Sequence, residues 1–364
     1  MVYLLYSFAL ALALVVSLPY WLFQVLRHLT EEDPSELTSV LFDGVDKLQH
    51  LGWRFLRPED DRPLTEDWEF HIRELCLNYF RCVDNLLKQM CELAGPEATV
   101  LIASDHGFGP TYDVLHINTW LEQNGYLAWS DAAESRDTQG ALLGVGQVAK
   151  HTWLMDWNKT KAFATTPTSN GIYIVQSDGN SPGVPAAEYP AFVKKLTEEL
   201  RRIPSLRTGE PLVAEVYHRD DVFQGPHHDA APDLTLVLSD GGLVSILPST
   251  ETVSKRPAVS GSHRAVGVFG ARGPAIRRGF EAKELSILDV APTVLYSLGL
   301  PLPEELQGKV AEEVYQDAVL KANPVRKVAG TGGTGSLTNG APVPGELEDE
   351  ETVLERLREL GYIE

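Results

Sequence analysis

Ala98-Thr-Val-Leu-Ile-Ala103 runs directly into Ser104-Asp105-His106-Gly107, an apolar segment of strand length that ends in a carboxylate and an imidazole side by side. A buried strand delivers the residues that follow it to the carboxyl edge of a sheet, where open α/β folds gather their ligands. Gly107 lets the backbone turn close to whatever sits there. Asp105 and His106 at such an edge can share one metal ion, the competing interpretation being a turn that only satisfies its own backbone.

Two other stretches bear on that pair. Upstream, Thr38-Ser-Val-Leu-Phe-Asp43 has strand character, and beyond Gly44 comes Asp46-Lys-Leu-Gln-His50. Asp46 and His50 are four apart, so on the opening turn of a helix they project from one face. There they either grip one cation or form an ordinary ion pair on a solvated helix. Downstream, Ser260-Gly-Ser-His263-Arg-Ala-Val-Gly267 sets a histidine among small residues ahead of Val268-Phe-Gly-Ala271. A loop so rich in glycine and serine packs poorly, which argues against a core role for His263.

Together with Ala231-Pro232-Asp233-Leu234, Gly270-Ala-Arg-Gly-Pro274 and the run Ser286 to Gly299, these stretches resemble the alkaline phosphatase superfamily. The resemblance is to its type I phosphodiesterase and nucleotide pyrophosphatase branch, from about residue 36 to residue 315. It implies an α/β fold, a three-layer sandwich around a mostly parallel central sheet. It implies that Asp46, His50 and His263 hold one divalent ion and that Asp105 and His106 contribute to a second. The ions are usually zinc in that family, and the donor types independently suit zinc, with manganese the weaker alternative. Two such ions would clamp a phosphate and lower the pKa of a bound hydroxyl or water. The implied activity is hydrolysis of a small-molecule phosphoester, by a phosphodiesterase, nucleotide pyrophosphatase or phosphatase. A metal-binding relic acting as scaffold or phosphoester-binding module, and phosphotransfer of the mutase type, share the same ligands.

In the family a strand-borne Asp and a Ser or Thr nucleophile precede the segment matching Asp46. Here Thr30, Asp33 and Ser35 lie in a polar connector with no strand before it, so no nucleophile is assigned. None of Cys76, Cys82 and Cys91 begins the Cys-x-Pro-x-Arg pattern of the superfamily's sulfatases, which disfavours sulfate esters. Their spacings match neither zinc pairs nor a disulfide framework, so they are expected to pack a helix over 67–93. The apolar face of that helix is expected to be Phe70, Leu77, Phe80, Leu87 and Met90.

The 364 residues carry a formal net charge of -20. A chain so acidic, with no basic tract, repels a nucleic-acid backbone. It also needs concentrated positive charge to hold an anionic phosphoester, which divalent ions supply. Val2 to Leu26 is apolar and uncharged and long enough for a bilayer, so residues 1–28 are expected to form an N-terminal transmembrane helix of undetermined orientation. A misplaced start would instead leave a cytoplasmic protein. Val114 to Leu121 reads as a short helix, 128–225 as an insertion with a lid at 130–150, 322–346 as a flexible Gly/Thr/Ala/Pro linker and 347–364 as a C-terminal amphipathic helix. His227-His228-Asp229 looks like a metal box but sits in a turn-rich approach to Asp233-Leu-Thr-Leu-Val-Leu238, and is assigned no ligand role.

Overall fold

Helix α2 (Asp43–Leu56) opens with Asp43 and Asp46 in its first turn and closes with Arg54 in its last, charges that complement the helix dipole. Lys47 pairs with Asp43 at 2.8 Å along the same face. The following helix, α3 (Asp67–Ala94), starts on a reciprocal cap: the buried Glu69 carboxylate accepts from the Thr65 and Glu66 amides at 2.8 and 3.2 Å. The same carboxylate pairs with Arg54 of α2, and Arg73 of α3 donates to the Phe55 and Leu56 carbonyls at 2.8 and 3.2 Å. The end of α2 is thus tied to α3 by charge and by its own orphan carbonyls, while Leu48, Cys76, Tyr79 and Val83 form the core between them.

These helices belong to the first of two compact units in the computed structural model, Met1–Leu56, Leu64–Phe108 and His263–Gly345; the second is Arg57–Pro63, Gly109–Ser262 and Glu346–Glu364. The structure describes residues 23–32, 35–130, 151–166, 170–177, 182–225 and 227–329. The first unit also holds helix α1 (residues 23–32), strand β1 (Val100–Ala103), β11 (Phe269–Arg272), helix α7 (Val290–Ser297), β12 (Leu302–Pro303), helix α8 (Asp317–Ala322) and β13 (Lys327–Val328). β1 and β11 pair antiparallel, Ala103 opposite Phe269, and β12 and β13 pair in parallel.

The second unit is built on β2 (Gly107–His116), which starts within the first, and on α4 (Ile117–Gln123). It continues with β3 (Ala162–Phe163), β4 (Gly171–Ile174), β5 (Gln176–Ser177), β6 (Val184–Pro185), α5 (Tyr189–Leu200), β7 (Val213–His218) and α6 (Arg219–Val222), then β8 (Leu234–Leu238), β9 (Gly242–Ser245) and β10 (Val253–Arg264). β3, β4, β8 and β7 make a four-stranded antiparallel sheet in that order, and β10, β2 and β9 make a three-stranded one. Leu115, Ile117, Leu121, Ile172, Leu196, Leu212, Leu234 and Leu236 are the centre of its core.

The α/β class is as expected, but the described strands form five small sheets, with the largest antiparallel throughout, where one mostly parallel sheet was expected. Apolar runs such as 98–103 carry no mark of pairing direction. β1 is also less covered than a central strand, since Ile102 and Ala103 are exposed and its described partner is β11 alone. Val114 to His116 are the end of strand β2, and helix starts only at Ile117. The inner face of α3 is Glu69, Cys76, Tyr79, Val83 and Leu86, one row away from the expected stripe, and Phe70 is half exposed. Burial pushes the Cys76 thiol up to about 11, as befits a packing cysteine.

The membrane expectation is corrected. Among the described residues no helix is long and apolar enough to cross a bilayer. Helix α1 has ten residues and carries the Arg27–Glu31 ion pair, a charge pattern at odds with a span. The rest of the expected span, residues 1–22, lies outside the described residues, as do the lid residues 131–150 and the C-terminal helix 347–364. The unit that interrupts the first covers Gly109–Ser262, a wider stretch than the 128–225 insertion expected. Lys327 and Val328 pair with Leu302 and Pro303, so strand structure extends into the stretch read as linker.

Candidate metal centre

The first turns of α2 set Asp46 and His50 on one face, with His50 Nε2 3.6 Å from Asp46 Oδ1. Asp105 and His106 occupy the turn between β1 and β2, and His263 is the penultimate residue of β10. β10 and β2 are neighbours: His116 N bonds Thr252 O at 2.9 Å at one end, and Gly107 lies against Val266 at the other. That register runs the two strands antiparallel and carries His263 to the ring of His106, which it stacks at 3.6 Å with a 20° tilt.

The loop after His263 is fastened to the Asp-His turn by backbone contacts that leave no room for side chains. A Cβ at Gly107 would stand 2.0 Å from the Val266 carbonyl oxygen, and one at Gly267 would stand 2.3 Å from Ser104 Oγ. Ser104 completes the clamp: its amide donates to Val268 O at 3.0 Å, and its hydroxyl accepts from Val268 N at 2.8 Å. The two glycines therefore serve close approach of backbone to backbone.

Four donor groups converge as a result. His263 Nε2 lies 3.1 Å from Asp46 Oδ1 and 2.9 Å from His50 Nε2, and His106 Nε2 lies 3.7 Å from Asp46 Oδ1. One ligand atom each of Asp46, His106 and His263 falls within 4.8 Å of the others. Nitrogen and oxygen ligands held about 2.0–2.1 Å from a tetrahedral zinc stand about 3.3 Å apart, and the spacings just given bracket that value. Burial first, then the like charge of protonated His106 and His50, holds the His263 imidazole below its ordinary value, against the pull of Asp46. A neutral imidazole is the form that binds metal. Donor type, spacing and protonation all suit a divalent ion.

Asp105 stands on the outer side of this group. Its side chain is exposed, with Oδ2 3.5 Å from His106 Nε2 and Oδ1 accepting the His106 amide at 3.1 Å. The expected trio of Asp46, His50 and His263 lies together at 2.9–3.6 Å, and the expected pair of Asp105 and His106 stands beside it. His106 joins Asp46 and His263 in one cluster, with Asp105 at its rim. Phe108, for which the sequence suggested no role, packs on all three imidazoles. Its position two residues beyond a candidate ligand was the available signal.

Elsewhere, His228 and Asp233 are engaged by protein groups. His228 pairs with Asp220 at 2.9 Å and Asp229 at 3.2 Å in a 3₁₀ turn. Asp233, part of the resemblance quoted above, is buried. It accepts from the Ile174 amide at 2.7 Å, the Tyr189 hydroxyl at 2.6 Å and Arg219 at 3.2 Å. That is a joint between β4, α5, α6 and β8.

The sequence model of the family described as "Type I phosphodiesterase / nucleotide pyrophosphatase" matches residues 13–265. The match begins inside the run expected to span a membrane and includes all five residues of the site. No curated protein matches the chain. With well over half of its length covered, the chain belongs to the type I phosphodiesterase/nucleotide pyrophosphatase family of the alkaline phosphatase superfamily.

Proposed function

We propose that this protein is a metal-dependent phosphoric ester hydrolase, acting on small phosphodiesters, with Asp46, His50, His106 and His263 as ion ligands and zinc as the ion. Asp105, at the rim, takes part in a second site next to His106. The observation that carries this reading is the convergence of Asp46, His106 and His263 ligand atoms within 4.8 Å, in a family of phosphoester hydrolases. Arrangement of the whole catalytic domain as a three-layer alkaline phosphatase-like sandwich is part of the proposal and rests on family membership.

A divalent ion bound there supplies Lewis acidity to the phosphoryl oxygens as charge gathers on them. The chain's own residues do the rest. Asp46 and the three imidazoles would hold that ion as a local positive charge in an acidic protein that would otherwise repel its substrate. Ser104 is engaged in clamping Val268 and is not assigned as a nucleophile.

The test is hydrolysis of bis(p-nitrophenyl) phosphate by zinc-loaded protein, with the zinc content measured alongside. Activity that disappears in Asp46→Ala supports the proposal. Protein that loads zinc yet turns over no faster than Asp46→Ala selects the binding-only alternative, and protein that loads no ion removes both.

A further inference from the structure

The three imidazoles of the cluster share one neighbour that cannot ligate. The Phe108 ring lies 4.8 Å from the His50 ring at 77°, 5.3 Å from His263 at 76° and 5.6 Å from His106 at 57°. Two of these are edge-on contacts, the geometry in which the positive rim of one ring meets the negative face of another. On its far side Phe108 stacks at 6.3 Å and 24° on Trp53, a buried residue of α2 three positions after His50. The ring is thus braced by the helix that supplies two of the ligands.

Ligating histidines are ordinarily fixed by a hydrogen bond at the nitrogen that does not bind the ion. His106 follows that pattern, with Nδ1 3.2 Å from Gly107 O. His263 does not: its Nε2 faces Asp46 and His50, and among the described residues Nδ1 has no hydrogen-bond partner. Beyond the Nε2 contacts, its ring plane is set by neighbouring rings: the edge of Phe108, the stacked face of His106 and the tilted ring of His50.

We infer that Phe108 is the positioning residue of the centre, holding His263 and, with it, His50 and His106 in a ligating orientation through ring packing. This inference rests on the metal-hydrolase reading above. It requires the ring itself: an aliphatic side chain of similar volume fills the space but has no edge to set the imidazole planes.

Phe108→Leu and Phe108→Tyr separate these contributions. Zinc affinity is measured by competition with a chelating dye, and ligand geometry by the visible spectrum of the cobalt-loaded protein. The expected result is an affinity about 10–100-fold weaker and a changed cobalt spectrum for Phe108→Leu, as for loss of other ligand-orienting groups. The Tm of the metal-free protein stays at the wild-type value, and Phe108→Tyr keeps wild-type affinity and spectrum. Wild-type affinity and spectrum in Phe108→Leu overturn the inference while leaving the metal reading intact. A metal-free Tm lowered in proportion to the lost affinity also overturns it, in favour of plain packing. Failure of the wild-type protein to take up either ion removes the metal reading itself, and the inference with it.

Discussion

Asp46 in the first unit and Asp233 in the second are both shielded carboxylates with histidine or arginine nearby, and they do opposite work. Asp233 is surrounded by donors: a backbone amide, a phenol and a guanidinium satisfy it, and its charge is cancelled inside the fold. Asp46 faces three imidazoles, whose nitrogens turn towards it and towards each other at 2.9–3.7 Å. Protonated, those rings would repel one another; neutral, each has a lone pair to offer a cation. A carboxylate that the protein has already satisfied is a structural joint, whereas a carboxylate and three imidazole nitrogens turned towards one another are an arrangement that a cation completes.

The largest expected effect separates the two directly. Asp46→Ala should lower zinc affinity by more than about 100-fold, beyond what loss of an orienting neighbour produces, and abolish phosphodiester hydrolysis. It should change the metal-free Tm little, because Asp46 and His263 are only partly buried. Dye competition and calorimetry on the same samples check both halves. Asp233→Ala should do the reverse, destabilising the protein by about 1–3 kcal/mol, since the buried Ile174 amide, the Tyr189 hydroxyl and Arg219 would lose their shared acceptor. Zinc bound per folded molecule should stay at the wild-type level. Urea titration with metal analysis tests this, and loss of zinc in well-folded Asp233→Ala would break the comparison.

Gly107→Ala should come next. The added methyl would meet the Val266 carbonyl, and relief of that overlap costs about 1–3 kcal/mol. Because the clamp also sets the path of His263, its zinc affinity should fall along with its stability, the joint signature that neither aspartate variant has.

The smallest effect is on pH. Burial holds the His116 imidazole below its ordinary value, the Leu247 carbonyl contact opposing only in part. In the unfolded chain a histidine takes up a proton near pH 6.5. Below that pH the unfolded state binds more protons than the folded one, so stability present above pH 6.5 is lost progressively as pH falls towards the folded value. His116→Gln should flatten this dependence in urea titrations between pH 7.5 and 5. Zinc should not mask it, whereas protons compete with zinc at the imidazoles of the cluster over the same range.

Much of the site was legible because its signals are local. The four-residue spacing of Asp46 and His50, the adjacency of Asp105 and His106, and the glycine-rich setting of His263 each constrain a few neighbouring residues, and helix α3 was read at 67–93, one residue short of its observed end. What could not be read depends on partners distant in sequence. The buried row of α3 contains Glu69, Cys76 and Tyr79, which rank below phenylalanine on any apolar count. They are buried because Arg54 and Leu48 of α2 lie against them, while of the expected stripe Phe80 and Leu87 pack at the edge of the same core and Phe70 is half exposed. Strand β2 was mistaken at its end for helix because Val114 to His116 owe their extension to the ladder with β9.

By itself the sequence determined the family and the chemical types at the site, since donor identity and short spacings are properties of the chain alone. The tertiary structure decided the grouping. Antiparallel β2 and β10, and a backbone seam only glycines 107 and 267 permit, bring His263 across more than 150 residues onto His106. Those contacts set Asp105 at the rim and Phe108 among the rings, because relative position across such a separation is fixed by packing and strand register, which local pattern does not encode.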